Sequence, residues 1–272
     1  MIRLLKIELA KLWPANYFRI LLALWLVAFI TIPFASSSFL DWMANNKMMS
    51  QNPMFNPSHW PIFDFADLWQ NLAYIYKMIS IFMSFIIIIS VTNEFDYKTV
   101  RQNVIDGFSK TEFWLSKISL IICFSVLSAV LLFILGLIIG YSMFPIFEMK
   151  LLFTNISFLF AYFFQVFYLL MFAFVLSILI KRAGIVIAIM VFWIYIIEPM
   201  LSAIIGSRLV DWPMVAESLP VEAGWNLIQF PFRKYLLMKT QDFISLQDIV
   251  IAGAWFVFFF WSSYMLLTKR DL

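Results

Sequence analysis

The sequence predicts an all-α integral membrane protein with six transmembrane helices, and three observations lead there. Hydrophobic residues make up 64% of the 272 and charged residues only 13%, at a mean hydropathy of +0.92, against about 45–50% apolar and about 25% charged in an ordinary soluble domain. A water-soluble globule of this size cannot hide that much apolar surface, because most side chains meet solvent at some edge. The apolar residues gather into six runs, each near the ~20 residues that a helix needs to cross a ~30 Å hydrocarbon core. Lys and Arg fall between the runs.

Residues 2–13 place Ile2, Leu5, Leu9, Leu12 and Trp13 on one side at 100° per residue and Arg3, Lys6 and Lys11 on the other, and Pro14 ends the run. This predicts an amphipathic helix lying in the membrane interface. A basic start, an apolar run and Ala35-Ser36-Ser37 also have the order of a secretory signal, but the charged segment is long and amphipathic for an n-region, so it is expected to stay in the mature chain. Spans are expected at about 17–39, 72–91, 118–143, 151–180, 185–205 and 249–267. The loop 40–71, rich in Asn, Pro, Met and Trp and without a period, reads as irregular. Segment 198–248 is too long for a simple turn and carries Pro199, Pro213, Pro220 and Pro231. It is expected to dip back toward the membrane as short re-entrant helices covered by protein or water. The whole of 1–272 reads as one transmembrane domain.

Short basic loops stay in the cytoplasm. Arg3, Lys6, Lys11 and Arg19 precede or begin the first span, Lys98, Arg101, Lys110 and Lys117 lie between the second and third, Lys181-Arg182 between the fourth and fifth, and Lys269-Arg270 at the end. The alternation predicts both termini in the cytoplasm of a cell (inner) membrane, with Trp42, Trp60, Trp69, Trp212 and Trp225 near the outer interface. The net charge of +3 is thereby explained by topology, and no nucleic-acid partner is expected. Cys123, the single cysteine, excludes an internal disulfide and Cys-based metal sites.

Catalytic and nucleotide motifs are absent: there is no GxxxxGK[ST], HExxH, CxxC or GxSxG. His59 is the only histidine and lies in a Pro- and Asn-rich stretch, where a solvated loop residue outweighs a ligand or base. No catalytic residue, metal site or cofactor is expected on this chain. Lys77 lies about 24 Å along the helix from Asn93, and Glu198 about 22 Å from Ala183, so the two reach the same depth. A charge so far into a span faces a partner or a water-filled cavity. They are expected either to pair near the outer gate or to snorkel separately to the outer headgroups.

The loop 94–117 begins with Glu94, has a helix-compatible middle and stops at Gly107, with Ser109 or Thr111 able to cap the next helix. Val100, Val104, Ile105 and Phe108 would give its helix one apolar face, packed on the chain's own helix ends or docked into a partner's groove. The order of Glu94, then Lys98-Thr99-Val100-Arg101-Gln102-Asn103-Val104-Ile105, then Gly107-Phe108-Ser109-Lys110, Phe113 and Lys117 resembles the ABC-2-type permeases (type V exporter fold) of ABC exporters. The interfacial helix, six spans, external excursion and terminal Lys269-Arg270-Asp271-Leu272 are similar to that family too. The motif covers about twenty-five residues, and Lys110 stands where the family often has Arg, keeping the charge without the planar fork.

The resemblance implies a permease subunit that couples to a separate ABC ATPase, in two copies, through Glu94, Arg101, Val104, Gly107, Phe108, Ser109 and Lys110. ATP and Mg would be bound on that partner. A second permease chain would meet this one along the second and fifth spans, with the translocation path lined by Tyr74, Tyr76, Lys77, Ser80 and Ser84 and by Trp193, Tyr195 and Glu198. The function implied is export of a hydrophobic or amphipathic molecule such as a drug, peptide or lipid. The alternatives are a force-transmitting unit that extracts a membrane-bound ligand, a membrane-embedded enzyme built on Lys77 and Glu198, and a structural anchor.

Overall fold

Apolar runs become helices in a bilayer because no water is there to bond the backbone, and in a helix each segment satisfies its own N–H and C=O groups. The computed structural model describes residues 2–45, 65–105, 107–143, 153–208, 213–229 and 243–269. Its helices are α1 (Ile2–Leu12), α2 (Asn16–Asn45), α3 (Phe65–Ile79), α4 (Ile81–Asp96), α5 (Thr99–Ile105) and α6 (Lys110–Met143). They continue with α7 (Ser157–Ile180), α8 (Ala183–Phe192), α9 (Glu198–Arg208), α10 (Pro213–Glu217), α11 (Pro220–Trp225) and α12 (Leu246–Lys269). Among the described residues six stretches are long and apolar enough to span: Asn16–Ala35, Asp67–Asp96, Lys110–Ser142, Ser157–Ile180, Ala183–Ser207 and Leu246–Lys269. The protein is an all-α, multi-pass membrane protein.

The fourth span, α7, is the hub and packs on α3, α4, α6, α8, α11 and α12. Its sequence is apolar on every face, as a helix surrounded by other helices requires, and its few polar side chains point at partners. The hydroxyls of Tyr162 and Ser128 lie 2.6 Å apart, Gln165 Nε2 donates to the Gly224 carbonyl at 3.2 Å, and the Tyr168 hydroxyl donates to the Pro220 carbonyl. Thus α7 also anchors the excursion before the last span.

Two spans are interrupted, each for a local reason. The second is a pair, α3 and α4, broken at Ser80, whose hydroxyl bonds the Lys77 carbonyl at 2.5 Å while the Met83 N–H turns back to the Ser80 carbonyl at 3.1 Å. The i→i−3 bond tightens this one turn, and the i→i−4 bonds of the Ser80 and Ser84 N–H groups carry the span across it. In the fifth, a π turn over Trp193–Ile197 joins α8 to α9, and the Glu198 N–H bonds the Trp193 carbonyl. Pro199 has no N–H for the Tyr195 carbonyl and its ring crowds that carbonyl, so the helix widens by one residue just before it.

The element bounds correct several expectations. The fifth span includes 198–205, as its expected bounds had it, and its helix runs on to Arg208, so the excursion begins after 208 and not at 198, because the π turn absorbs Pro199 without ending the helix. The irregular loop expected over 40–71 is helical at both ends, as α2 runs on to Asn45 and α3 starts at Phe65. His59, residues 209–212 and 230–242 of the excursion and the tail from Arg270 lie outside the described residues. Helices α10 and α11 are the short broken helices expected there, and α11 packs on α7 and α12.

Close packing of α3 on α6 depends on Gly136. A Cβ there would stand 2.6 Å from the Trp69 ring, which stacks on Phe133 with centroids 5.5 Å apart. Gly136→Ala is expected to destabilise the protein by about 1–3 kcal/mol through overpacking, although Ala is the better helix former. Gly253→Ala, where a Cβ meets nothing within 4 Å, should be neutral or slightly stabilising, and thermal unfolding of both in detergent checks the contrast.

Candidate functional site

At the end of the bundle that carries α1 and α5, a lysine is buried among carboxylates. Lys117, on the first turns of α6 and 1% exposed, donates to Glu8 Oε2 at 2.5 Å, Glu94 Oε1 at 2.7 Å and Ser90 Oγ at 3.2 Å. Lys11 adds a second cation, 3.3 Å from Glu8 Oε1 and 3.5 Å from Glu94 Oε1. Ser116 Oγ donates to Glu8 Oε1 at 3.2 Å. The node joins the interfacial helix, the end of the second span and the start of the third. Burial pushes the Glu8 carboxyl up, but the Lys117 and Lys11 charges outweigh it and hold the group below its ordinary value of 4.5.

Between Glu94 and Lys117 runs the loop singled out in the sequence. Thr99 Oγ1 donates to the Glu94 carbonyl at 3.2 Å, and Val100 is buried, which fixes the base of α5 against the bundle. Gly107 takes φ +92, a conformation that only glycine adopts readily. Ser109 caps α6, not Thr111: its hydroxyl accepts the Glu112 N–H at 3.1 Å, and Glu112 Oε2 accepts the Ser109 N–H at 2.9 Å, a reciprocal capping box. Lys110 Nζ donates to the Thr268 carbonyl at 3.3 Å, tying the loop to the last turn of α12. Phe108 is half-buried against the core, while Tyr97 and Ile105 are 77% and 70% exposed. The single apolar face expected of this helix is therefore divided, with Val100 and Phe108 holding it and Ile105 projecting. Arg101 and Val104 lie on α5, but their side chains are outside the described ones.

At the opposite end, Glu198 is buried and does not pair with Lys77. Its Oε1 accepts the N–H groups of Val221 at 2.5 Å and Glu222 at 2.7 Å, and its Oε2 accepts Trp193 Nε1. These are free N–H groups of the first turn of α11, the place where a helix favours a negative charge. The expected ion pair fails because the capped helix already satisfies the carboxylate. Lys77, 7% exposed, lies over the Tyr74 ring at 3.9 Å and the Trp225 ring at 5.0 Å. It faces a cavity of about 400 Å³ with Ser202, Glu217, Glu222, Asn226 and Gln229 on its wall. Burial raises the Glu222 carboxyl, the Lys77 charge opposes this and Glu217 adds to it.

The other residues expected on a path divide. Tyr76 is fully buried, stacks on Phe29 with centroids 3.9 Å apart and donates to the Phe29 carbonyl at 2.7 Å, so it packs α3 on α2 instead of lining a passage. Ser80 and Ser84 are buried and turn back to the carbonyls of Lys77 and Ile81. Tyr195 is exposed and meets Trp225 edge-on at 6.3 Å. Only Tyr74 and Lys77 reach the cavity. Glu8, missed as a site residue, was detectable: it is three residues from Leu5 and four from Leu12, an acid on the apolar stripe of a basic helix. The part played by Glu222 and Trp225 had no such signal.

Fold and sites together define a multi-pass membrane protein with an ion-paired loop at one end and a polar cavity at the other. No protein-family model and no curated protein matches the chain. Among the described residues no group of three or more His, Cys, Asp or Glu side chains could hold a metal ion.

Lys117→Met leaves two carboxylates facing each other in a buried site and is expected to cost about 3–5 kcal/mol. Adding Glu8→Leu and Glu94→Leu should recover most of the loss in thermal unfolding; a triple variant no better than the single would mean that the charges act independently. Because the Glu8 carboxyl titrates below 4.5 when folded and near 4.5 when unfolded, its contribution is complete above pH 4.5 and is lost on acidification below it. Glu8→Gln should flatten this acid limb in unfolding temperatures measured from pH 7 to pH 3.

Proposed function

We propose that the chain is the membrane-spanning permease subunit of an ABC-2-type exporter in a cell membrane, with both termini and α5 in the cytoplasm. The supporting observation is that the loop between Glu94 and Lys117 is clamped at both ends yet projects Ile105 and Tyr97 into solvent. A short helix with a rigid base and an exposed apolar tip suits a groove on a partner. The node beneath it can carry a push on α5 into the second and third spans at once, with α1 attached. The partner is an ABC ATPase, in two copies, which binds ATP and Mg and does the hydrolysis, so this chain is not itself an enzyme. The apolar face formed by Ile185, Ile189, Phe192, Ile196 and Met200 on the fifth span is exposed in the single chain, which supports a second permease chain or lipid against it. The cargo is a hydrophobic or amphipathic molecule.

Purification of the full chain in mild detergent from its native cells is expected to bring an ATPase with it. Ile105→Asp should remove that ATPase and lower ATP turnover about tenfold or more, the effect of losing roughly 1.4 kcal/mol or more of docking energy. The unfolding temperature should hold, because an exposed substitution away from caps and core shifts stability by about 0.5 kcal/mol or less. A chain that purifies alone, or turnover indifferent to Ile105→Asp and Tyr97→Ala, would overturn the reading.

A further inference from the structure

The cavity around Lys77 is built, not incidental. Its floor is α11, whose position is held by the Glu198 carboxylate on the Val221 and Glu222 N–H groups, by Gln165 on the Gly224 carbonyl and by the close approach of Gly224 to Tyr168, where a Cβ would stand 2.8 Å from the ring. Lys77, on α3, lines the same space. Among the described residues its ammonium has no hydrogen bond and no salt bridge, only the faces of Tyr74 and Trp225. With Lys77 7% exposed, rings its direct contacts among the described residues and the charge of Glu222 acting on it from further off, the site has room for an anion in direct contact with the ammonium. The same space of about 400 Å³ is lined by Glu217 and Glu222 and by neutral donors and acceptors on Ser202, Asn226 and Gln229. That volume falls in the range of about 300–1,000 Å³ of small-molecule sites. The wall is polar, unlike the neighbouring groove of about 340 Å³ between α7 and α12, which is lined by Phe160, Phe164, Ile249 and Phe256.

We propose that this cavity binds a zwitterionic head group carrying a phosphate diester and a primary ammonium, with the phosphate on Lys77 and the ammonium between Glu222 and Glu217. An anion alone would answer Lys77 but meet the charges of Glu222 and Glu217, and a cation alone would leave Lys77 without an anion in direct contact. A molecule with both charges a few atoms apart answers all three. Depth agrees: Lys77 lies about 24 Å along the second span from Asn93, within about one turn of the far edge of a ~30 Å hydrocarbon core, at the level where lipid phosphates begin. The inference deepens the exporter reading by naming the head group of an amphipathic cargo.

Binding to the full chain in detergent tests it with no ATPase and no transport step, so failure here and failure of the exporter reading are separable. Three probes are titrated: short-chain phosphatidylethanolamine, short-chain phosphatidylglycerol with the same acyl chains, and soluble glycerophosphoethanolamine. Phosphatidylethanolamine is expected to bind about tenfold or more tightly than phosphatidylglycerol. Lys77→Gln should weaken it about tenfold or more, as loss of one charge-assisted hydrogen bond does. Glu222→Gln should erase the preference between the two lipids while the unfolding temperature confirms an intact fold, which keeps the test decisive if Lys77→Gln does not fold. Binding of glycerophosphoethanolamine with the same Lys77 and Glu222 dependence identifies a soluble source as sufficient, and binding of the lipid alone identifies the membrane as the source. Equal affinity for the two lipids, or affinity unchanged in both variants, overturns the proposal.

Discussion

The ammonium of Lys117, buried and shared between Glu8 and Glu94, is the interaction on which the arrangement of the basic end depends. Burying three charges is costly, and their mutual attraction offsets that cost only when the geometry is good and the remaining lone pairs are occupied. Here Ser116 and Lys11 donate to the carboxylates and Ser90 accepts from the Lys117 ammonium, while Glu94 Oε2 has no hydrogen-bond partner among the described residues. Each charge comes from a different helix, so none can leave without stranding the others. An interfacial helix that would otherwise be held by its apolar stripe is thereby locked to two spans. The same lock brackets the segment that turns below the bundle.

A second carboxylate organises the other end by different physics. Among the described residues Glu198 meets no cation; it accepts the free N–H groups of a six-residue helix. A helix that short is unstable alone, and its orphan donors would be expensive in a region shielded from water. The fifth span supplies the acceptor, and the π turn before Pro199 sets the rotation at which the Glu198 side chain leaves the helix. With α11 so placed, Trp225 and Glu222 stand opposite Lys77, and the cavity between them follows.

The two ends are joined through α7 and through the paired helices of the second span. Glu94 ends α4 in the ionic node, while Lys77 sits on α3 beyond the break at Ser80. Apolar packing fills the space between, with Trp25, Phe29 and Tyr76 stacked between the first and second spans.

The sequence by itself determined the solvent, the number of spans and the outline of the loop, because hydropathy, basic-loop spacing and the Ser109–Glu112 cap are local properties of the chain. It also marked Lys77 and Glu198 as charges at depth. Depth along a helix says nothing about the direction in which a side chain leaves it, and direction is what separated the two. Glu198 turned to a helix terminus whose N–H groups exist only once Pro220 has begun α11, and Tyr76, Ser80 and Ser84 turned inward because α2 and their own helix offered carbonyls there. Glu8 found its partner more than a hundred residues away. Pairings over such separations are chosen by how helices rotate against one another in the folded bundle, and that rotation is a property of the packing of all six spans together.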